Sequence, residues 1–203
     1  MEFSPEGLSL QERYKLLISL VYPRPIALIS TWSPNNIANC APFSYFNAMC
    51  EDPMLVVLSF NQRSDGKTKH SLANLLRTGE FVVNLVDENI ANGMHVSSTE
   101  YPEETSEFKE AGFTEAPCRI VNHPRIVEAP ASFECRLFRR IEVGPTRDII
   151  LGEIVYVHAR DDIIDSRNHR VSETHYQPVG RLYGNRYCTT RQRFDLPGAL
   201  PPK

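Results

Sequence analysis

The sequence predicts a mainly β fold, an antiparallel barrel closed on itself with a few peripheral helices. Three observations carry this. Short apolar runs of strand length recur at 26–29, 54–60, 81–86 and 149–158. Phe133, Cys135, Leu137, Ile141 and Val143 alternate with Ser132, Glu134, Arg136, Arg140 and Glu142, the period of a half-buried strand, interrupted at Phe138 and Arg139. Helical spacing is confined to a few short stretches. Many strands with few helices mark a barrel that removes its own edges.

In chain order, residues 9–18 read as a helix, with Leu10, Tyr14, Leu17 and Ile18 near helical spacing. Pro23 and Pro25 stop it and launch the first strand, whose buried run is Ile26, Ala27, Leu28 and Ile29. Ser33-Pro34-Asn35-Asn36 is turn chemistry. Asn39, Ala41, Pro42, Ser44 and Asn47 then put small and polar groups into the next strand. A core strand does not need them; a strand whose backbone approaches a flat heterocycle can use them, and an ordinary edge strand with a turn, the reading the residues alone favour, accounts for them too. Glu51-Asp52-Pro53 turns the chain into the strand at 54–60.

Residues 68–77 read as a helix with an apolar stripe at Leu72, Leu75 and Leu76 and Gly79 at its C-terminal cap. The strand at 81–86 follows. Residues 87–113 are polar, with helices expected at 87–96 and 105–111 and a surface loop at 97–105. From Arg119 the chain is β-rich again, and Gly152 is expected to mark a bulge. Residues 161–177 are polar and carry His169 and His175, residues 179–188 end the ordered core, and the Pro-rich tail at 196–203 is expected to be mobile.

The 203 residues, 41% hydrophobic and 23% charged, suit one globular domain over 1–203, with 1–10 and 196–203 as peripheral tails. A net charge of −3 argues against general affinity for nucleic acid. The five cysteines are odd in number and form no CxxC, which reads as reduced thiols in a cytoplasmic protein. The acidic N-terminus does not suit a signal peptide, and the apolar run 16–21 is too short to span a membrane. No HExxH, Cys/His metal spacing, GxGxxG or Ser-His-Asp set is present, so no metal site is expected.

Residues 61–68, NQRSDGKT, follow a strand and precede a helix. They match the phosphate loop GxxxxGK[ST] except for Asn61 in place of the first glycine. That motif belongs in alternating strand–helix architecture, which argues against a nucleotide triphosphatase here. The physics still transfers. A helix N-terminus offers free N–H groups and a positive dipole end; Lys67 adds a point charge, Thr68 a hydroxyl, Arg63 a planar fork and Ser59 a donor from the strand end. A solvated basic loop beside a helix cap explains the same residues equally well.

RPIALIST at 24–31, followed by NxAPFSYFNAM at 39–49, resembles the flavin reductase-like family of FMN-binding split barrels. TGEFVVNLV at 78–86, SSTEYP at 97–102, FECRL at 133–137, LGEIVYVH at 151–158 and VGRL at 179–182 fit in the same order. The resemblance implies a split β-barrel with Greek-key topology, a homodimer with flavin near the subunit interface, and FMN as cofactor with FAD as the alternative. It places the flavin phosphate at Ser59, Phe60, Asn61, Arg63, Lys67 and Thr68, and the ring along Thr31, Asn39, Ala41, Pro42 and Ser44, with Tyr183 covering it and Arg181 in support.

No catalytic side chain is implied, because the flavin carries the hydride at N5 and NAD(P)H stacks on it transiently. The implied activity is an NAD(P)H-dependent flavin reductase supplying a partner monooxygenase or another electron-acceptor protein. The alternatives are a flavoredoxin-like FMN carrier without nicotinamide turnover and a non-redox flavin-binding protein. Some relatives use a histidine at the nicotinamide; for His169 and His175, solvated loop positions are the plainer account.

Overall fold

Ser9 opens the first helix, α1 (Leu10–Leu20), with a capping box: its Oγ accepts from the Glu12 N–H at 3.3 Å, and Glu12 accepts from the Ser9 N–H at 2.9 Å. Only Ile18 of this helix is buried; Leu10, Tyr14, Leu17 and Leu20 are exposed. Described here, from a computed structural model, are residues 1–196 and 198. The expected tail at 196–203 therefore lies almost wholly outside the described residues.

The prolines at 23 and 25 lead into β1 (Ala27–Trp32), which a turn through Asn36 (φ 55°) joins to β2 (Ala38–Phe43). Then come β3 (Phe46–Glu51), β4 (Met54–Asn61), α2 (His70–Thr78) and β5 (Glu80–Leu85). Gly79 ends α2 in the left-handed conformation, as its sequence position predicts. The polar excursion supplies α3 (Ala91–Val96) and α4 (Glu107–Ala111). A small hairpin of β6 (Glu115–Ala116) and β7 (Arg125–Ile126) follows, then the long pair β8 (Ala131–Glu142) and β9 (Arg147–Ala159). A last hairpin joins β10 (Val179–Arg181) to β11 (Tyr187–Thr189).

Seven strands form one sheet, all pairs antiparallel, in the order β2-β1-β5-β8-β9-β4-β3. The sheet is not closed, because β2 and β3 remain its two edges. Yet Phe43 and Phe46 end and begin these edges, and three residues of chain reach at most about 11 Å. The sheet must therefore curl until its edges lie close together. The Ser59 N–H donates to Tyr45 O at 2.9 Å, and the Phe43 and Phe60 rings are 4.4 Å apart. The split barrel implied by the resemblance is what forms; the fully closed sheet read from strand count alone is corrected to one with a seam.

Strand β1 explains why its apolar run is continuous. Ala27 and Ile29 face the barrel interior with Leu58, Phe60, Phe81 and Ile150, which Leu72 and Leu75 of α2 help to fill. Ile26 and Leu28 face an outer layer with Val86, Met94, Phe108 and Ile126. A strand buried on both sides has no polar face to alternate with. Bulges fall at Phe138 on β8 and Val155 on β9, where one residue has no partner. The first is the break in the period-two pattern. Gly152 is not bulged; it makes room for Phe81, whose Cζ would lie 2.4 Å from an added Cβ.

Buried polar groups lock the layers. His123 accepts from the Trp32 backbone N–H through Nδ1 at 2.9 Å, and its Nε2 lies 2.9 Å from Thr78 Oγ1. Glu134, fully buried, accepts from the N–H groups of Arg119, Ile120 and Val121 and pairs with His158 at 2.6 Å. It thereby pins the 119–121 segment. Among the described residues no helix is long and apolar enough to cross a membrane.

Candidate functional site

Helix α4 covers the first part of β2's open edge: Ser106 Oγ donates to Ala38 O at 2.8 Å, and Glu107 is buried there. Beyond Cys40 the edge opens. Pro42 has no N–H to offer a neighbouring strand. Two clefts meet at this point and share Pro42 and Ser98. The smaller, about 120 Å³, lies between β2, the loop after β4 and residues 97–101. The larger, about 660 Å³, lies between β2, α1, α3 and the β10–β11 hairpin.

The loop after β4 is a tight turn. The Arg63 N–H donates to Lys67 O at 2.8 Å, and the Gly66 N–H to Arg63 O at 3.0 Å, with Gly66 at φ 80°. This turn throws Lys67 outward, with its side chain 80% exposed and Asp65 3.8 Å away. The chain returns at Lys69, whose side chain lines the smaller cleft. Helix α2 begins at His70, two residues later than the sequence pattern predicts, and has no side-chain N-cap. Its first N–H groups are therefore available to an anion.

Arg63 Nη1 lies 2.9 Å from His70 Nε2. Burial first, and the Arg63 charge next, push the His70 pKa down, so a neutral imidazole accepts from the guanidinium. Arg63 Nε and Glu107 Oε2 are buried with no hydrogen-bond partner, Asp65 Oδ1 standing 3.6 Å from the Arg63 Nε, and both residues line the smaller cleft. Burial pushes the Glu107 carboxyl above the ordinary range, against the pull of nearby N–H donors. Orphaned buried polar atoms are uncommon, and an orphaned guanidinium N–H asks for an acceptor. Asn39 Oδ1 accepts from Ser71 Oγ at 2.9 Å and Thr31 Oγ1 at 3.3 Å, while Asn74 Nδ2 donates to Thr31 at 3.1 Å. This network fixes Asn39 in the cleft wall.

In the larger cleft Arg24 is 7% exposed. It donates to Ile18 O at 2.9 Å, Val21 O at 2.6 Å and Leu182 O at 2.5 Å, and its Nε reaches Ser44 Oγ at 3.5 Å. One side chain thus ties the end of α1 and the β10–β11 hairpin to the start of β1. Burial lowers its pKa, though an arginine stays charged. Arg181 stacks 4.6 Å from the Tyr187 ring centroid and donates to Tyr187 Oη and Gly184 O. Tyr14, Tyr45, Tyr183 and Tyr187 line this cleft, and among the described residues no carboxylate does.

Of the residues named from sequence, Asn39, Ala41, Pro42, Asn61 and Arg63 line the smaller cleft, and Pro42, Ser44, Arg181 and Tyr183 the larger. Thr31 is buried behind Asn39, and Phe60 is buried inside the barrel. Ser59 accepts from Arg147 Nη1 at 3.2 Å and lines neither cleft. Lys67 and Thr68 are exposed outside both. His169 and His175 line neither, whereas His95 lines the larger. Sequence reasoning missed Arg24, Lys69, His70, Ser71, Glu100 and Glu107; only the unsupported helix start at Lys69 carried a local signal.

A family model described as flavin reductase like domain matches residues 19–184. The chain belongs to the flavin reductase-like family. An uncharacterized protein of Aquifex aeolicus is 40% identical to this flavin reductase-like chain over 187 residues, 92% of this chain and 94% of the relative. The solved structure of the Pseudomonas fluorescens 2-nitrobenzoate 2-nitroreductase NbaA shares 36% identity at a TM-score of 0.89, over 100% of this chain and 99% of that one. Nitrilotriacetate monooxygenase component B from Bacillus cereus shares 28% identity at a TM-score of 0.91, over 97% and 98% of the two chains.

Proposed function

We propose that the two clefts together hold FMN and that the protein is an NAD(P)H-dependent flavin reductase, working as a homodimer. The observation that carries this reading is the junction at Pro42. A small cleft with a lysine, an orphaned guanidinium N–H and uncapped helix N–H groups opens into a larger one walled by tyrosines. That is the order of a flavin mononucleotide: phosphate at one end, a flat ring at the other.

The residues fit the group. Lys69, Arg63 and the first N–H groups of α2 would hold the phosphate, Lys69 taking the part that motif spacing gave to Lys67. Asn39, Ser44 and the β2 backbone would orient the ring, and the tyrosines would exclude water from it. Bound FMN would supply hydride chemistry at N5. The larger cleft leaves a path by which a nicotinamide reaches the ring. Likeness to a monooxygenase component supports a partner monooxygenase as recipient of reduced flavin. The exposed apolar side chains of α1, beside the cleft that Tyr14 lines, support the homodimer.

A second reading follows from the 36% identity to NbaA along the whole chain: a nitroaromatic acid as electron acceptor. Oxidation of NADH and NADPH, followed by absorbance with added FMN, tests both. Turnover with free FMN is expected. Turnover that requires 2-nitrobenzoate instead assigns the nitroreductase reading. No oxidation with either donor sinks both and leaves an electron carrier or a non-redox flavin protein.

A further inference from the structure

Lys69 already has an anion. Its Nζ lies 2.6 Å from Glu100 Oε1, while Glu100 Oε2 accepts from the Ser64 hydroxyl at 2.5 Å and the Ser64 N–H at 3.3 Å. Glu100 ends the SSTE stretch that walls the smaller cleft and, through Ser98, touches the larger. Lys69 and Ser64 hold its carboxyl down to about 2, so it stays ionised at any working pH. A carboxylate and a phosphate seek the same donors: an ammonium, a hydroxyl and backbone N–H groups. With both at Lys69, about three negative charges would face one ammonium, because a phosphate monoester carries nearly two. The opposite wall already holds the unpartnered Glu107 oxygen.

We propose that Glu100, held in place by Ser64, sets how tightly FMN is held, by competing with the flavin phosphate for Lys69, so that the flavin exchanges as a substrate and does not remain as a fixed group. The proposal rests on the FMN reading given above. In the ligand-free protein the carboxylate neutralises Lys69 and ties residues 97–101 to the loop after β4. Phosphate entry makes Glu100 give up Lys69 and turn outward. The phosphate then adds less affinity than Lys69, Arg63 and the α2 N-terminus would give alone. A weakened phosphate grip suits a protein that passes reduced flavin on by diffusion.

The test is a titration of wild type, Glu100→Gln and Ser64→Ala with FMN and with riboflavin, followed by flavin fluorescence, with stopped-flow release rates for FMN. Glu100→Gln is expected to bind FMN about tenfold or more tighter, with slower release, and riboflavin within about twofold of wild type. Ser64→Ala loosens the same carboxylate without removing its charge, and should shift FMN the same way by about two- to fivefold. If Glu100→Gln does not melt cooperatively, Ser64→Ala decides alone. Unchanged or weaker FMN binding in the variant overturns the proposal and makes Glu100 a positioning partner of Lys69. If wild type and variants bind neither flavin, the FMN reading fails and takes the proposal with it.

Discussion

Lys67 and Lys69 stand two positions apart in very different surroundings. The first is 80% exposed on a turn, while the second lines the cleft and is 25% exposed. Lys69→Ala is expected to weaken FMN by roughly 1.5–3 kcal/mol more than it weakens riboflavin, a factor of about 10 to 150, with Lys67→Ala near wild type for both. Paired flavin titrations check this, and a larger loss from Lys67→Ala would return the phosphate to the outer turn. The sequence pointed to Lys67 because Gly66-Lys67-Thr68 mimics a known anion loop and Thr68 resembles a cap; in the fold Lys69 stays extended at ψ 140°, lines the cleft, and α2 starts after it. Asn39, Pro42 and Ser44 were legible, since polar and small residues in an apolar strand need a reason. Arg24 and Glu100 were not: Arg24 reaches across to Leu182, 158 residues on, and Glu100 to Lys69, 31 residues back, partners that the local sequence does not announce.

His123 makes a separate prediction. Burial, the largest influence, pushes its pKa down to about 4 from an ordinary 6.5. The unfolded chain therefore binds a proton more readily than the folded one between those values. Stability from this group is full above pH 6.5 and is lost as pH falls toward 4, by roughly 3 kcal/mol in total. Urea denaturation between pH 7 and 4 should show this slope, and His123→Gln should flatten it. An unchanged acid limb in the variant would assign the loss to other groups.

At the scale of elements, the long pair β8–β9 depends on a close approach. An added methyl at Gly152 would strike the Phe81 ring, which has no exposure and sits in the packed interior. Gly152→Ala is expected to cost about 1–3 kcal/mol, read as a lower denaturation midpoint, while Gly66→Ala should cost less because only its φ of 80° opposes a side chain. The pair's strand period and its break at Phe138 and Arg139 could be read from alternation, though the bulge itself was expected at Gly152. The role of Gly152 could not, since the ring that fills its space comes from β5. Helix α1 was placed correctly, but its apolar spacing suggested burial that the described chain does not provide: Leu17 is 50% and Leu20 73% exposed.

For the whole molecule, that uncovered helix face carries the assembly prediction. Sedimentation at micromolar concentration should show a dimer, and Leu17→Glu with Leu20→Glu should yield monomers that still melt cooperatively. A native protein that sediments only as a monomer would count against a site bordered by the interface. Strand count alone suggested closure, but closure depends on whether the two edge strands can pair. Pro42 in one edge and the largely exposed β3 as the other leave the seam open. The opening at Pro42 is where the two clefts meet.

Trp32 is the single tryptophan, its backbone N–H held by His123 and its carbonyl by Arg77 at 2.9 Å. The molecule thus contains its own optical probe, with no label to attach. Protonation of His123 would turn its Nδ1 from acceptor to donor and break the bond to the Trp32 N–H, so a change in emission near pH 4, with the far-ultraviolet dichroism unchanged, would time the arrival of one proton. A yellow ligand that absorbs in the emission band would dim the same indole at neutral pH. Acid and ligand would then be read in one cuvette, at different pH, from one side chain.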